Sequence, residues 1–220
     1  MVISDLHINL NIWLRWLHVL AGIIWIGHLY FLDFVCVPLQ RSLDDSEKNA
    51  VIQKVMLRAL WWFRWGAMIS FLSGLFLFGV NYLYTPGVGF EANQLLVDDH
   101  GITGRATWIL FGMTVASVMW FNVWFVIWPA QKKLVLAANA SADHGPFLFR
   151  RSFLAVRTNT LLSGPMLFAM LAPSHYGAIS FLTWLLVLAT GILVMWCLIR
   201  FSRVVGTSRG QLNDGGEGDV

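Results

Sequence analysis

The sequence predicts an all-α fold, a polytopic integral membrane bundle of about five transmembrane helices, on three observations. Of the 220 residues, 57% are hydrophobic and only 12% charged, against about 25% charged in an ordinary soluble domain, and the mean hydropathy is +0.65. Several uninterrupted apolar runs approach the ~20 residues that cross the hydrocarbon core of a bilayer. The basic residues fall in short groups beside those runs rather than along one face, which is the pattern of membrane topology and not of phosphate binding. The formal charge of +3 therefore gives no reason to expect nucleic acid, and the lipid bilayer is the expected surrounding.

In chain order, the spans are expected at about 12–37, 60–84, 106–130, 153–174 and 177–201. The fourth is the least apolar, because Arg157, Asn159 and Ser163 interrupt it and only Thr160 to Leu171 is strongly hydrophobic. The first run is too long for the apolar region of a cleaved signal peptide, so the N-terminus is expected to be retained. Residues 1–205 form one membrane domain, and 206–220, rich in Gly, Asp and Ser, read as a disordered cytoplasmic tail.

Orientation follows from lysine and arginine. Arg41, Lys48, Lys54 and Arg58 follow the first span; Lys132, Lys133, Arg150 and Arg151 follow the third; Arg203 and Arg209 lie in the tail. The N-terminal arm, the loop 85–105 and the turn from Pro173 to Tyr176 carry almost none. The positive-inside rule then places the N-terminus outside and the C-terminus in the cytoplasm of a multi-pass protein. Tryptophans such as Trp13, Trp16, Trp61, Trp62, Trp65, Trp108 and Trp128 cluster towards span ends, where indoles anchor at the headgroups. Cys36 and Cys197 lie near the same end of their spans and read as buried, reduced thiols.

Ionisable groups inside hydrocarbon call for a partner or a purpose, and topology sorts them into two layers. Towards the outer side lie Arg15, His18 and His175, with His7 and His100 on flanking segments. Neutral imidazole is a strong haem-iron ligand, and a haem b between helices needs axial histidines at similar depth. His18 and His175 meet that condition. Gly22 and Gly27 follow His18 and let a flat macrocycle, or a neighbouring helix, approach the backbone. The bland alternative is that the glycines serve packing and His18 bonds a carbonyl, while His7, His100 and His144 are solvated. His28 lies ten residues on, about 15 Å deeper and about 80° round the helix. It cannot share a metal with His18, and is left to a second cofactor, a proton path or a polar neighbour.

Deeper in, Asp33, Arg64, Asn122, Arg157 and Asn159 should share one level. An ion pair such as Asp33 with Arg64 explains part of that layer structurally. A site for an anionic, hydrogen-bonding molecule explains the surplus of guanidinium over carboxylate. The sequence has no P-loop, no dinucleotide GxGxxG, no CxxC and no CxxCH, so the chemistry is expected from a bound cofactor or a partner.

The strings RWLHVLAGIIWIGHLYFLDFVCVP, ALWWFRWGAMISFLSG, NVWFVIWPAQKK and RTNTLLSGPMLFAMLAPSHY, in that order over about residues 12–176, resemble the membrane domain of the bacterial cytochrome-c-coupled urate oxidases. The resemblance implies a bacterial inner membrane protein that takes electrons from urate and passes them to a c-type cytochrome. It makes His18 and His175 the candidate haem-iron ligands, Gly22 and His28 further cofactor contacts, and Arg64, Arg157 and Asn159 candidate catalytic polar contacts. No cytochrome c domain follows the fifth run in these residues, so a separate c-type cytochrome or another membrane electron-transfer subunit is the expected partner. The leading expectation is thus a haem-b-binding membrane oxidoreductase component. Its alternatives are a non-catalytic accessory or assembly subunit and, more distantly, a metal or solute permease.

Overall fold

The computed structural model describes residues 2–44, 52–137, 145–177 and 180–205. Lys48, His144 and the tail after residue 205 lie outside the described residues. The fold is mostly helical, as apolar runs without internal breaks dictate: every backbone N–H and C=O in a helix is satisfied within its own segment, the condition that hydrocarbon imposes.

Helix α1 (Val2–Tyr30) continues through a π-helical segment, Phe31–Cys36, into α2 (Val37–Ser42). A second π-helical segment, Ile52–Met56, leads into α3 (Leu57–Tyr82). Helix α4 (Gly104–Phe121) passes through a third, Asn122–Ile127, into α5 (Trp128–Ala137). Helix α6 (Gly145–Leu171) ends in a short 3₁₀ turn, Ala172–Ser174, and α7 (Phe181–Ser202) closes the described chain. Thr103 and Ser180 cap α4 and α7 through their side-chain oxygens, which accept from Ala106 N at 3.0 Å and Thr183 N at 3.2 Å.

Four stretches are long and apolar enough to cross a membrane: Asp5–Leu39, Lys54–Tyr82, Gly104–Leu134 and Phe181–Ser202. Their outward faces carry large apolar side chains such as Ile23, Phe76, Phe121 and Leu186, each more than half exposed, a surface suited to lipid and not to water. Helix α6 has the length of a span, 27 residues, but not the composition. The expected span at 153–174 is this helix, shifted towards the N-terminus. Its polar side chains point inward: Ser152, Asn159, Thr160 and Ser163 are fully buried. It packs against α1, α4, α5 and α7, so the least apolar of the long helices stands at the centre. Opposite Gly164, a Cβ would meet the Gly191 carbonyl oxygen at 2.5 Å; the missing side chains let α6 and α7 close to backbone contact.

Two features depart from the expectation. Helix α1 begins well ahead of its apolar run, and the loop expected at 85–105 is folded into two small antiparallel hairpins. They pair β1 (Tyr84–Thr85) with β2 (Gly89–Phe90) and β3 (Val97–Asp98) with β4 (Gly101–Ile102). Gly87 and Gly101, at φ 87° and 109°, make the turns that L side chains resist. Asn93 ties this cap to the end of α3 by donating from Nδ2 to Asn81 O at 2.8 Å.

Candidate functional site

A cavity of about 510 Å³ lies between α1, α3, α4 and α6, within the range of small-molecule and cofactor sites. Its walls are apolar, with His18, Tyr30, Ser70 and Ser117 as the polar exceptions. The His18 ring packs against Gly74, where a Cβ would meet its Cε1 at 3.0 Å. Its Nδ1 contacts Ser70 O at 2.9 Å and Ser73 Oγ at 3.2 Å. A carbonyl can only accept, so Nδ1 carries the proton. Nε2 then bears the lone pair, and it has no hydrogen-bond partner among the described residues. Gly22 lines the same cavity, as do Gly27 and the thioethers Met113, Met166 and Met170. The methionines were not singled out in the sequence, where sulfur at helical spacing is indistinguishable from core packing.

The other imidazoles do not gather here. Among the described residues no group of three or more His, Cys, Asp or Glu is placed to hold a metal ion. His175 is exposed, its Nδ1 donating to Leu171 O at 3.2 Å, and it is not among the residues lining the cavity. His28 donates from Nδ1 to Ile24 O at 2.7 Å, within its own helix. His7 stacks on Tyr84 at 5.8 Å.

A second opening of about 340 Å³ adjoins the first at the hairpin end of the bundle, lined by Arg15, Asn81, Tyr82, Arg105, Pro173 and Ser174 among others. His18, Val19, Gly74, Met113, Met170 and Leu171 line both. The His18 ring thus stands where a polar mouth meets an apolar chamber.

The deeper polar layer exists, with different partners. Asp33 pairs with Arg157 at 3.2 Å, not with Arg64. Sequence separation gives the depth of each charge but not the rotation of each helix, and α6 rather than α3 turns its arginine towards Asp33. Arg64 instead lies among indoles, its guanidinium carbon 4.0 Å from the Trp128 ring and 4.9 Å from that of Trp124, an attraction to the ring quadrupole. Asn122 Nδ2 donates to Asn159 Oδ1 at 2.9 Å, and Asn159 Nδ2 to Met119 O at 3.0 Å. Higher on α6, the Tyr30 hydroxyl lies 2.9 Å from Ser163 Oγ. Asp33 and Asn122 both sit in π-helical segments; such wide turns recur at functional sites and re-aim side chains inward. Trp108, expected as an interfacial anchor, is fully buried and stacks on Trp184 at 5.4 Å. Trp13, Trp16, Trp61 and Trp62 are exposed, as anchors require.

The family model described as urate oxidase N-terminal matches residues 88–211, more than half of the chain. The chain belongs to the urate oxidase N-terminal family. The match takes in the second hairpin, α4 to α7, Arg105, Arg157 and Asn159, while β1, His18 and Arg64 lie before it. No curated protein sequence and no solved structure matches the chain.

Proposed function

We propose that this chain is a membrane-embedded oxidoreductase component that binds haem b in the large cavity. It passes electrons from a small reductant, with urate the one its family points to, to a periplasmic c-type cytochrome. In this reading it crosses the bacterial inner membrane five times, N-terminus outside, with α6 as the fourth crossing shielded by the other helices.

The observation that carries the reading is His18. Its Nδ1–H is held by a backbone carbonyl, the arrangement that fixes the tautomer and ring orientation of metal-bound histidines, and its unpartnered Nε2 belongs to a ring on the cavity wall. The residues present fit the group: Gly74 lets the His18 ring pack against α3, Gly22 leaves the cavity wall open near it, and the remaining walls are mostly apolar. When bound, haem supplies one-electron exchange at its iron, with a potential set by axial ligands and burial. Ser70 and Ser73 orient His18, and a thioether from α4 or α6 is the neighbouring donor on the cavity wall. His175 and His28 are retained only as peripheral contacts, to be tested by substitution.

In the deeper layer, Arg157 and Asn159 hold the helices together through Asp33, Asn122 and Met119. Arg64 has no carboxylate partner among the described residues and is the candidate contact for an anionic reductant there. One observation favours the alternative of an accessory subunit without a redox centre: among the described residues, His18 is the sole imidazole lining the cavity.

Proteoliposomes containing the chain, urate and a c-type cytochrome test the electron path. The reduced cytochrome band should grow with wild type and not with His18→Ala. Absence of growth with wild type that carries its haem would remove urate as the reductant.

A further inference from the structure

Among the described residues, the mouth of the cavity is lined by two guanidiniums, Arg15 and Arg105, and no acid. Arg15 donates from Nε to Asn11 Oδ1 at 2.5 Å and from Nη2 to Asn81 Oδ1 at 3.3 Å. Asn11 Nδ2 donates to the same Asn81 oxygen at 2.7 Å, so that oxygen is shared, and among the described residues Arg15 has no carboxylate partner. Arg105, from the first turn of α4, lies beside the Tyr82 hydroxyl. That turn contains no acidic residue, so the positive end of the helix and the guanidinium act in one direction. None of the described residues lining this opening is Asp or Glu. Two like charges facing one cleft repel each other unless an anion sits between them, and paired guanidiniums are suited to carboxylate oxygens.

The cleft opens past His18 into the apolar chamber. The combined shape asks for a molecule with an apolar body and an anionic end. We infer that Arg15 and Arg105 bind the carboxylate of an amphipathic organic acid whose apolar body enters the cavity beside His18. This deepens the proposed function, since a porphyrin with carboxylate side chains is one such acid; a long-chain fatty acid is the other source of the same chemistry.

The test compares acids with their esters on the purified full-length chain. Iron-free protoporphyrin IX against its dimethyl ester, and palmitate against methyl palmitate, are titrated by quenching of tryptophan fluorescence. Using iron-free porphyrin separates this inference from ligation by His18: failure of the haem reading would leave the preference for the acid intact. One of the two acids should bind at least about tenfold more tightly than its ester, as expected for charge-assisted hydrogen bonds. The preference should vanish in Arg15→Gln/Arg105→Gln and survive in part in Arg15→Lys/Arg105→Lys, which keeps the charge if the Gln pair proves unstable. Which acid shows the preference identifies the source. Equal binding of acid and ester for both pairs would overturn the inference and leave the arginines as headgroup contacts. So would an acid preference that persists in the Gln variant.

Discussion

Removing the Asp33 carboxylate probes the centre of the bundle. Asp33 is fully buried in the π-helical segment after α1 and meets Arg157 of α6 at 3.2 Å. Asp33→Asn keeps the shape and deletes the charge, leaving the Arg157 guanidinium opposite a neutral amide in place of its carboxylate. Breaking one side of a buried pair costs about 3–5 kcal/mol, a large part of the ~5–15 kcal/mol that holds a typical domain together. Arg157→Met strands the carboxylate and should cost a similar amount. The double variant, which removes both charges, should recover most of the loss, because replacing a buried pair by apolar groups is often close to neutral. Thermal unfolding of the detergent-solubilised chain, followed by circular dichroism, gives the four corners of a double-mutant cycle. Losses that simply add in the double variant would refute the pairing.

Other outcomes follow from the same geometry. Gly164→Leu would drive a side chain into the Gly191 carbonyl, 2.5 Å from the Cβ position; overpacking should cost about 1–3 kcal/mol or more and lower the melting temperature, whereas an unchanged melt would mean the two helices do not touch there. Asn159→Ala removes its bonds to Asn122 and Met119 O and leaves buried polar groups unmet, a loss of about 1–3 kcal/mol each, measurable in the same melt. Reporter fusions after residues 95, 140 and 177 should show the first and third outside and the second in the cytoplasm. Fusions after 140 and 177 on the same side would show that α6 does not cross. Gly74→Val crowds the His18 ring, 3.0 Å from that Cβ position, and should reduce haem binding more than it reduces stability.

Much of the architecture is legible in the sequence because hydrocarbon restricts the options: apolar runs of about 20 residues become helices. Helix α6 is harder to read for the same reason. Its polar residues are satisfied inside the bundle, so an average over its length understates its role. The depth of the polar layer follows from rise per residue, which is why Asp33, Arg157, Asn122 and Asn159 emerge at one level. Their pairing depends on helix rotation, and the π-helical segments at Asp33 and Asn122 shift that rotation in a way that no local signal reports. His18 is conspicuous as an imidazole within an apolar run, while Ser70 and Ser73, which fix its tautomer, resemble ordinary packing serines. Arg15 and Arg105 lie far apart in the chain, and only the folded mouth brings them together.

The central claim, that His18 presents a free imidazole nitrogen to a haem, is tested most directly by a reduced-minus-oxidised visible spectrum. The chain is purified after expression with ample haem, beside His18→Ala prepared in the same way. The account predicts b-type bands in the wild type and their loss in a variant that still elutes as folded protein. A featureless wild-type spectrum, or bands of equal strength in His18→Ala, would contradict it.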